Sequence, residues 1–202
     1  SKACSEIITQ SYRDSFGENS SLLALASARA GNVIGGGDFS ENRILPDFFR
    51  GLKKGNKIVL RNPEHIRPWQ YILEPISGYL QLAEKISKKK FKSNHESWNF
   101  APKSKNCVSV KKLILLLNKF SSNRIKIYYK KNSKKIKETS YLSLDNTKAK
   151  KTINWKPKYS LYETLQKIWE WYDATKKNRN YKNITKKHIY EYFKKNYKIE
   201  EI

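Results

Sequence analysis

Two stretches of this chain combine residue types and spacing that could do chemistry. In Pro63-Glu64-His65-Ile66-Arg67-Pro68-Trp69 the prolines hold the backbone extended and away from helix. Beside Trp69, Arg67 is a positioned guanidinium, and a forked cation is the natural clamp for a diphosphate. A surface ion pair would account for the same residue. The second stretch, Ala28-Arg29-Ala30-Gly31-Asn32-Val33-Ile34-Gly35-Gly36-Gly37-Asp38-Phe39, follows the apolar run Leu22 to Ala30, which reads as a strand buried on both faces of a parallel sheet. Glycine reaches positive φ without strain and lets main-chain amides approach a ligand. Ligands of open α/β sheets bind beyond the carboxyl ends of strands, so the triplet is a candidate binding loop. A plain connecting turn explains the same residues. The spacing is not the G-x-G-x-x-G dinucleotide fingerprint, and no G-K-[ST] phosphate loop occurs.

The elements that must position these residues follow from periodicity. Lys2 to Phe16 predicts a helix with Ile7, Ile8 and Tyr12 on one side and Glu6, Arg13 and Asp14 on the other. Asp47 to Leu52 predicts a short helix closed by Gly51 or Gly55, and Lys57 to Leu60 a strand. Glu74 to Ile86 predicts a helix, Trp98 to Phe100 a strand, and Val110, Leu113, Ile114, Leu117 and Phe120 a core-facing helix. Ile125 to Tyr129 and Glu138 to Leu144 alternate as strands, with Asp145 placed to cap a helix from Asn146. Ser160-Leu161-Tyr162-Glu163 is a capping box that opens a long helix with Leu161, Leu165, Ile168, Trp169 and Tyr172 on one stripe. A last helix near Thr185 to Lys195 carries Ile189, Tyr190 and Phe193. Helices and strands in this order make an α/β protein.

A length of 202 residues suits one domain, or one with a small appendage. The formal charge of +24 is uneven. Residues 1 to 75 hold ten Lys+Arg against eight Asp+Glu, and the remainder thirty-two against ten, giving +2 and +22. That second part is basic almost wholly through lysine, scattered across predicted helices and loops, with only Arg124 and Arg179. Nucleic-acid readers favour arginine and cluster their charge, so weak polyanion attraction is expected and a specific nucleic-acid function is not. Cys4 and Cys107 show no metal or redox spacing and suit a reducing cytosol. No apolar run approaches a membrane span. We therefore expect a soluble, cytoplasmic protein without a metal. No methionine occurs and the chain opens on Ser1-Lys2-Ala3-Cys4, so its N-terminus is expected not to be the natural start.

The segments Ser1 to Glu6, Ala28 to Asp38, Ile44-Leu45-Pro46, Arg67 to Pro75, Trp98-Asn99-Phe100 and Tyr141 to Asp145 occur in the order seen in extended short-chain dehydrogenases. Over nearly its whole length the chain resembles that family, and most closely its CDP-glucose 4,6-dehydratases, through Ala30 to Asp38 and Arg67-Pro68-Trp69-Gln70. The resemblance implies the end of a Rossmann-like doubly wound parallel sheet, with the last helix-strand unit in residues 1–36. A small mixed α/β nucleotide-sugar-binding domain is implied in 37–202. It implies NAD as cofactor, CDP-glucose as substrate and a homodimer at full length. Lys2 resembles the lysine of a Tyr-x-x-x-Lys pair, catalytic and cofactor-binding, whose tyrosine would lie upstream of residue 1. The dinucleotide loop would also lie upstream, so these residues alone are expected to be inactive.

Ala30 and Asn32 are implied near the cofactor. Asn32, Arg43, Ile44, Arg67, Asn99 and Glu138 are implied as substrate-binding. Two departures stand out: Lys137 where histidine often precedes the glutamate, and Tyr71 where histidine often follows Gln70, a position expected to bear on base preference. Another nucleotide-sugar epimerase or dehydratase is the nearest alternative, and a stand-alone basic polyanion-binding module a more distant one.

Overall fold

The computed structural model describes residues 2–16, 25–88, 97–130, 139–176 and 181–194. The chain is α/β, built on three small sheets. Strand β1 (Ser27–Ala30) pairs in parallel with β5 (Ser97–Phe100). Strand β2 (Asn32–Ile34) pairs in parallel with β4 (Ile66–Tyr71), whose other edge takes β6 (Cys107–Ser109) antiparallel. The third sheet is a parallel pair, β3 (Lys57–Leu60) with β7 (Lys126–Tyr129).

Helices α2 (Ile44–Lys53), α4 (Val110–Leu117) and α6 (Leu161–Lys176) enclose the main core. It contains Phe48, Phe49, Ile58, Leu60, Trp69, Leu113, Leu165 and Ile168. Helices α3 (Leu73–Ser87) and α5 (Thr147–Ile153) pack on β5 and form a second cluster around Trp98, Phe100 and Trp155. The expected capping box of α6 is reciprocal: the Ser160 amide donates to Glu163 Oε2 at 2.7 Å and the Glu163 amide to Ser160 Oγ at 3.2 Å. Its stripe is inward, with Leu161, Leu165, Ile168 and Tyr172 buried. Among the described residues no helix is long and apolar enough to cross a membrane.

Several expectations are corrected. The strand expected from Leu22 to Ala30, buried on both faces, is only Ser27–Ala30, and Ala28 and Arg29 are exposed. It has a partner on one edge alone among the described residues, and residues 22–24 lie outside them. Helix α1 (Lys2–Phe16) forms as expected, but its apolar side is outward, with Ile7 68% and Tyr12 57% exposed. The contacts inward are polar instead: Arg13 Nη2 donates to Ser27 Oγ at 3.2 Å and Ser97 Oγ to Glu6 Oε2 at 3.2 Å. Helix α2 starts three residues earlier than expected because Pro46 sits in its first turn, where its missing N–H is not needed. It ends before Gly55, at φ +88°, while Gly51 is buried inside it.

In place of a strand over Glu138 to Leu144, the described part makes a single bridge, Tyr141 to Ile66, having only β4 to pair with. Glu138 and Lys137 lie outside the described residues. Asp145 does accept the Thr147 amide at 2.8 Å, although α5 begins at Thr147 rather than Asn146. The last helix, α7 (Tyr181–Lys194), buries His188 and Tyr192 and leaves Ile189 43% exposed. Phe193 packs against the main core as expected, and buried hydrogen bonds of His188 and Tyr192 add to the docking.

Candidate functional site

Alternation along β4 turns Arg67 and Trp69 to one face, and the parallel register sets Asn32 of β2 opposite Trp69. Beyond these strands lie the N-terminal turn of α2 and the loop after β3. Together they enclose a cleft of about 530 Å³ lined by Asn32, Asp38, Arg43, Ile44, Arg61, His65, Arg67 and Trp69, among others. Arg67 is 8% exposed and so is no surface ion pair. Its Nη1 donates to the carbonyls of Ile66 at 2.8 Å and Ser140 at 3.4 Å, and Nη2 meets His65 Nδ1 at 3.2 Å. These contacts fix the plane of the guanidinium. Behind it, Trp69 Nε1 donates to the Val108 carbonyl at 3.0 Å and locks β4 to β6.

The mouth of the cleft is a braced loop. The Ser40 amide donates to Asp38 Oδ1 at 3.0 Å, and the Tyr172 hydroxyl to the Asp38 carbonyl at 2.7 Å. Arg50, paired with Asp47, donates to the carbonyls of Phe39 at 2.9 Å and Ser40 at 3.0 Å. Arg43 Nη1 stands 3.7 Å from Asp38 Oδ2. Desolvation pushes the Asp38 carboxyl up, but the Ser40 hydrogen bonds with Arg43 and Arg50 hold it below the usual carboxylate value. Across the cleft Arg61 Nη2 donates to the Asn42 carbonyl at 3.3 Å. Three arginines, one of them buried and braced, suit a ligand carrying adjacent phosphates.

The glycine triplet has a different cause from the one its position suggested. Gly35 lines the cleft, but a Cβ on Gly36 would lie 2.2 Å from Trp171 Cγ, and only Gly37 has positive φ, at +83°. The triplet is a saddle on which the α6 indole rests.

Tyr71 is also reassigned. It is buried, its hydroxyl lies 3.2 Å from His188 Nδ1 on α7, and it does not line the cleft. The departure at this position is matched by α7 through that contact. His188 Nε2 continues to Glu170 Oε2 at 3.1 Å, and Lys167 joins Glu170 to Glu191. Nearby, the buried Glu74 carboxylate accepts from the Lys158 and Tyr159 amides at 2.9 and 2.7 Å and from the Tyr192 hydroxyl at 2.8 Å. Burial raises its pKa despite these donors.

Of the residues singled out in the sequence, Asn32, Arg43, Ile44 and Arg67 meet in the cleft. Asn99 does not line it: on β5, its Nδ2 donates to the Asp145 carbonyl at 3.1 Å. Lys2 is exposed in the first turn of α1, and Ala30 closes β1 outside the cleft lining. Asp38, Arg61 and His65 were not anticipated. Arg61 had a signal, since it directly follows a predicted strand, where α/β proteins place ligand contacts.

The chain matches the family model described as GDP-mannose 4,6 dehydratase over residues 1–168. It is 34% identical over 200 residues to the CDP-glucose 4,6-dehydratase of Salmonella typhimurium, covering 95% of this chain and 54% of that protein. The chain thus spans about half the length of the curated relative it matches. Among solved structures it is similar to a UDP-glucose 4-epimerase with UDP-glucose from Thermotoga maritima. The TM-score is 0.70 at 24% identity, over 86% of this chain and 52% of that one. It is also similar to a UDP-glucuronic acid 4-epimerase from Bacillus cereus in complex with UDP-glucuronic acid and NAD. Here the TM-score is 0.68 at 17% identity, over 84% and 50%. These likenesses place the fold among the extended short-chain dehydrogenases.

Proposed function

Because the chain belongs to the GDP-mannose 4,6 dehydratase family, we propose that its cleft holds the diphosphate of a nucleotide sugar. We further propose that the protein serves the NAD-dependent dehydration of CDP-glucose to CDP-4-dehydro-6-deoxyglucose. The observation that carries this is the meeting of Asn32, Arg43, Ile44 and Arg67 in one cleft, residues singled out by their place in sequence motifs. In this proposal Arg67, braced by two carbonyls and His65, presents its guanidinium to one phosphate. Arg43, with its side chain 68% exposed, swings to the other. Asn32 supplies an amide beside them and Ile44 an apolar wall. The choice of CDP-glucose is supported by the likeness to the CDP-glucose 4,6-dehydratase of Salmonella typhimurium.

NAD, which the family implies, would supply a hydride acceptor when bound. Of the residues assigned to it, Asn32 lines the cleft while Lys2 and Ala30 do not. The part proposed for this chain's residues is therefore to grip and orient the diphosphate, not to move the hydride. A homodimer through α1 belongs to the same proposal, since it would cover the outward Ile7, Ile8, Tyr12 and Phe16.

Calorimetric titration with CDP-glucose, dTDP-glucose and UDP-glucose tests the proposal. CDP-glucose is expected to bind about tenfold tighter than the others, the discrimination available to a site that pairs its polar groups with one base. A preference for UDP-glucose would favour a sister epimerase, and absence of binding to all three would overturn the assignment of the cleft.

A further inference from the structure

The proposed diphosphate grip leaves an acidic side chain in the mouth of the cleft without a role. Among the described residues, the charged ones lining the cleft are Asp38 and Asp47 against Arg43, Arg61 and Arg67. Asp47 is offset by Arg50, which is not a lining residue. Asp38 remains as the carboxylate that an incoming anion meets. It is held firmly: the Ser40 amide binds Oδ1, Tyr172 binds its carbonyl, and Arg50 ties down the two residues that follow. Its partner is not. The 3.7 Å pair with Arg43 is loose and exposed, the kind that contributes little by itself, and phosphate oxygens offer an arginine shorter, stronger hydrogen bonds.

Resting on the nucleotide-sugar assignment of the cleft, we infer that Asp38 is a specificity-determining residue that filters ligands by charge. At the mouth it pairs with Arg43. When Arg43 turns to a phosphate, Asp38 stays behind as a fixed negative charge. A nucleotide sugar, whose terminal phosphate is esterified, satisfies the arginines without adding charge near Asp38. A free nucleoside diphosphate or triphosphate carries further negative charge and is repelled. At separations of about 8 Å and a partly solvated dielectric, each added charge weakens binding about fivefold.

The test is calorimetry on the full chain at fixed ionic strength, with CDP-glucose, CDP and CTP as probes, comparing wild type, Asp38→Asn and Asp38→Glu. Asp38→Asn keeps the shape and the oxygen that accepts the Ser40 amide, so the fold is expected to survive, as circular dichroism would report. Its preference for CDP-glucose over CTP should shrink about fivefold or more, chiefly through tighter CTP binding, and Asp38→Glu should retain the wild-type ratio. An unchanged ratio in Asp38→Asn would overturn the filter while leaving the cleft assignment intact. Equal weakening of all three ligands would also overturn it, marking Asp38 as a brace only. Failure of the wild type to bind any of them would remove the cleft assignment and the filter together.

Discussion

Substituting Gly36 by alanine separates a packing role for the glycine triplet from a ligand-binding one. The new Cβ would sit 2.2 Å from Trp171 Cγ, 2.3 Å from Cδ2 and 2.8 Å from Cδ1, so the indole as a whole must move. Trp171 is only 8% exposed, and its Nε1 donates to Thr185 Oγ1 on α7 at 2.9 Å. A shift therefore disturbs the docking of α7 as well as the core. Overpacking a filled site costs about 1–3 kcal/mol, and loss of part of the indole hydrogen bond places the expectation near 2 kcal/mol. Urea unfolding followed by tryptophan fluorescence measures it as a fall in midpoint at unchanged slope. Gly37→Ala is the control: its Cβ meets Trp171 at an ordinary 3.6 Å, but φ is +83°, so only the backbone term of about 1 kcal/mol remains. A Gly36→Ala protein within about 0.5 kcal/mol of wild type would refute the saddle. So would one that keeps its stability and loses CDP-glucose affinity, which would return the triplet to the ligand.

Two further outcomes follow from the same structure. Arg67→Lys keeps the charge and loses the fork, and Arg67→Ala loses both; in calorimetry CDP-glucose affinity should fall about tenfold and about thirtyfold respectively, and unchanged affinity in a folded Arg67→Ala protein would sink the clamp. The stability of the chain should also carry a pH signature from His188, which faces Tyr71 of β4, Glu170 and Lys167 of α6 and Glu191 of α7. Burial, reinforced by Lys167 against the two glutamates, lowers its pKa below the ordinary imidazole value of 6.5. The unfolded chain therefore takes up the proton first, and stability is lost as pH falls through and below 6.5. The difference in unfolding free energy between wild type and His188→Gln should narrow over that window, and a constant difference would count against the buried neutral imidazole.

Local signals carried most of the elements. The Ser160 box, the helical spacing in α4 and α6 and the proline-held extension of β4 each name their structure without tertiary help. The partners of those elements were less legible. Ile7, Ile8 and Tyr12 form the apolar side their spacing predicts, yet spacing does not say what an apolar side meets. Here Glu6 and Arg13 make the contacts with β1 and β5. Glycines were misjudged for a similar reason, because the sequence lists Gly36 without its distant Trp171. Arg43 and Arg67 were legible as one site only through the family motifs, since Arg43 caps α2 well past the end of β2 and Arg67 lies within β4. Asp38 completes the cleft through loop geometry, for which no short pattern exists, whereas Arg61 was marked only by its place directly after β3. Tyr71 and His188 could be understood only as a pair, each filling the need of the other across a helix interface.

The three sheets share one trait with a consequence for how the molecule forms. Ser27 lies opposite Ser97, and Lys57 opposite Lys126, while β4 meets β6 only after α3 and β5 have intervened. Among the described residues no sheet begins from a hairpin, so no strand pair can be made by a tight turn while its neighbours are still unfolded. Chain closure over long separations must come before any of these ladders is rewarded. Folding is thus set by topology more than by local propensity, and during that interval the strands are open to pairing with other chains. Slow cooling, low concentration and slow synthesis are the conditions under which such a chain reaches its cleft.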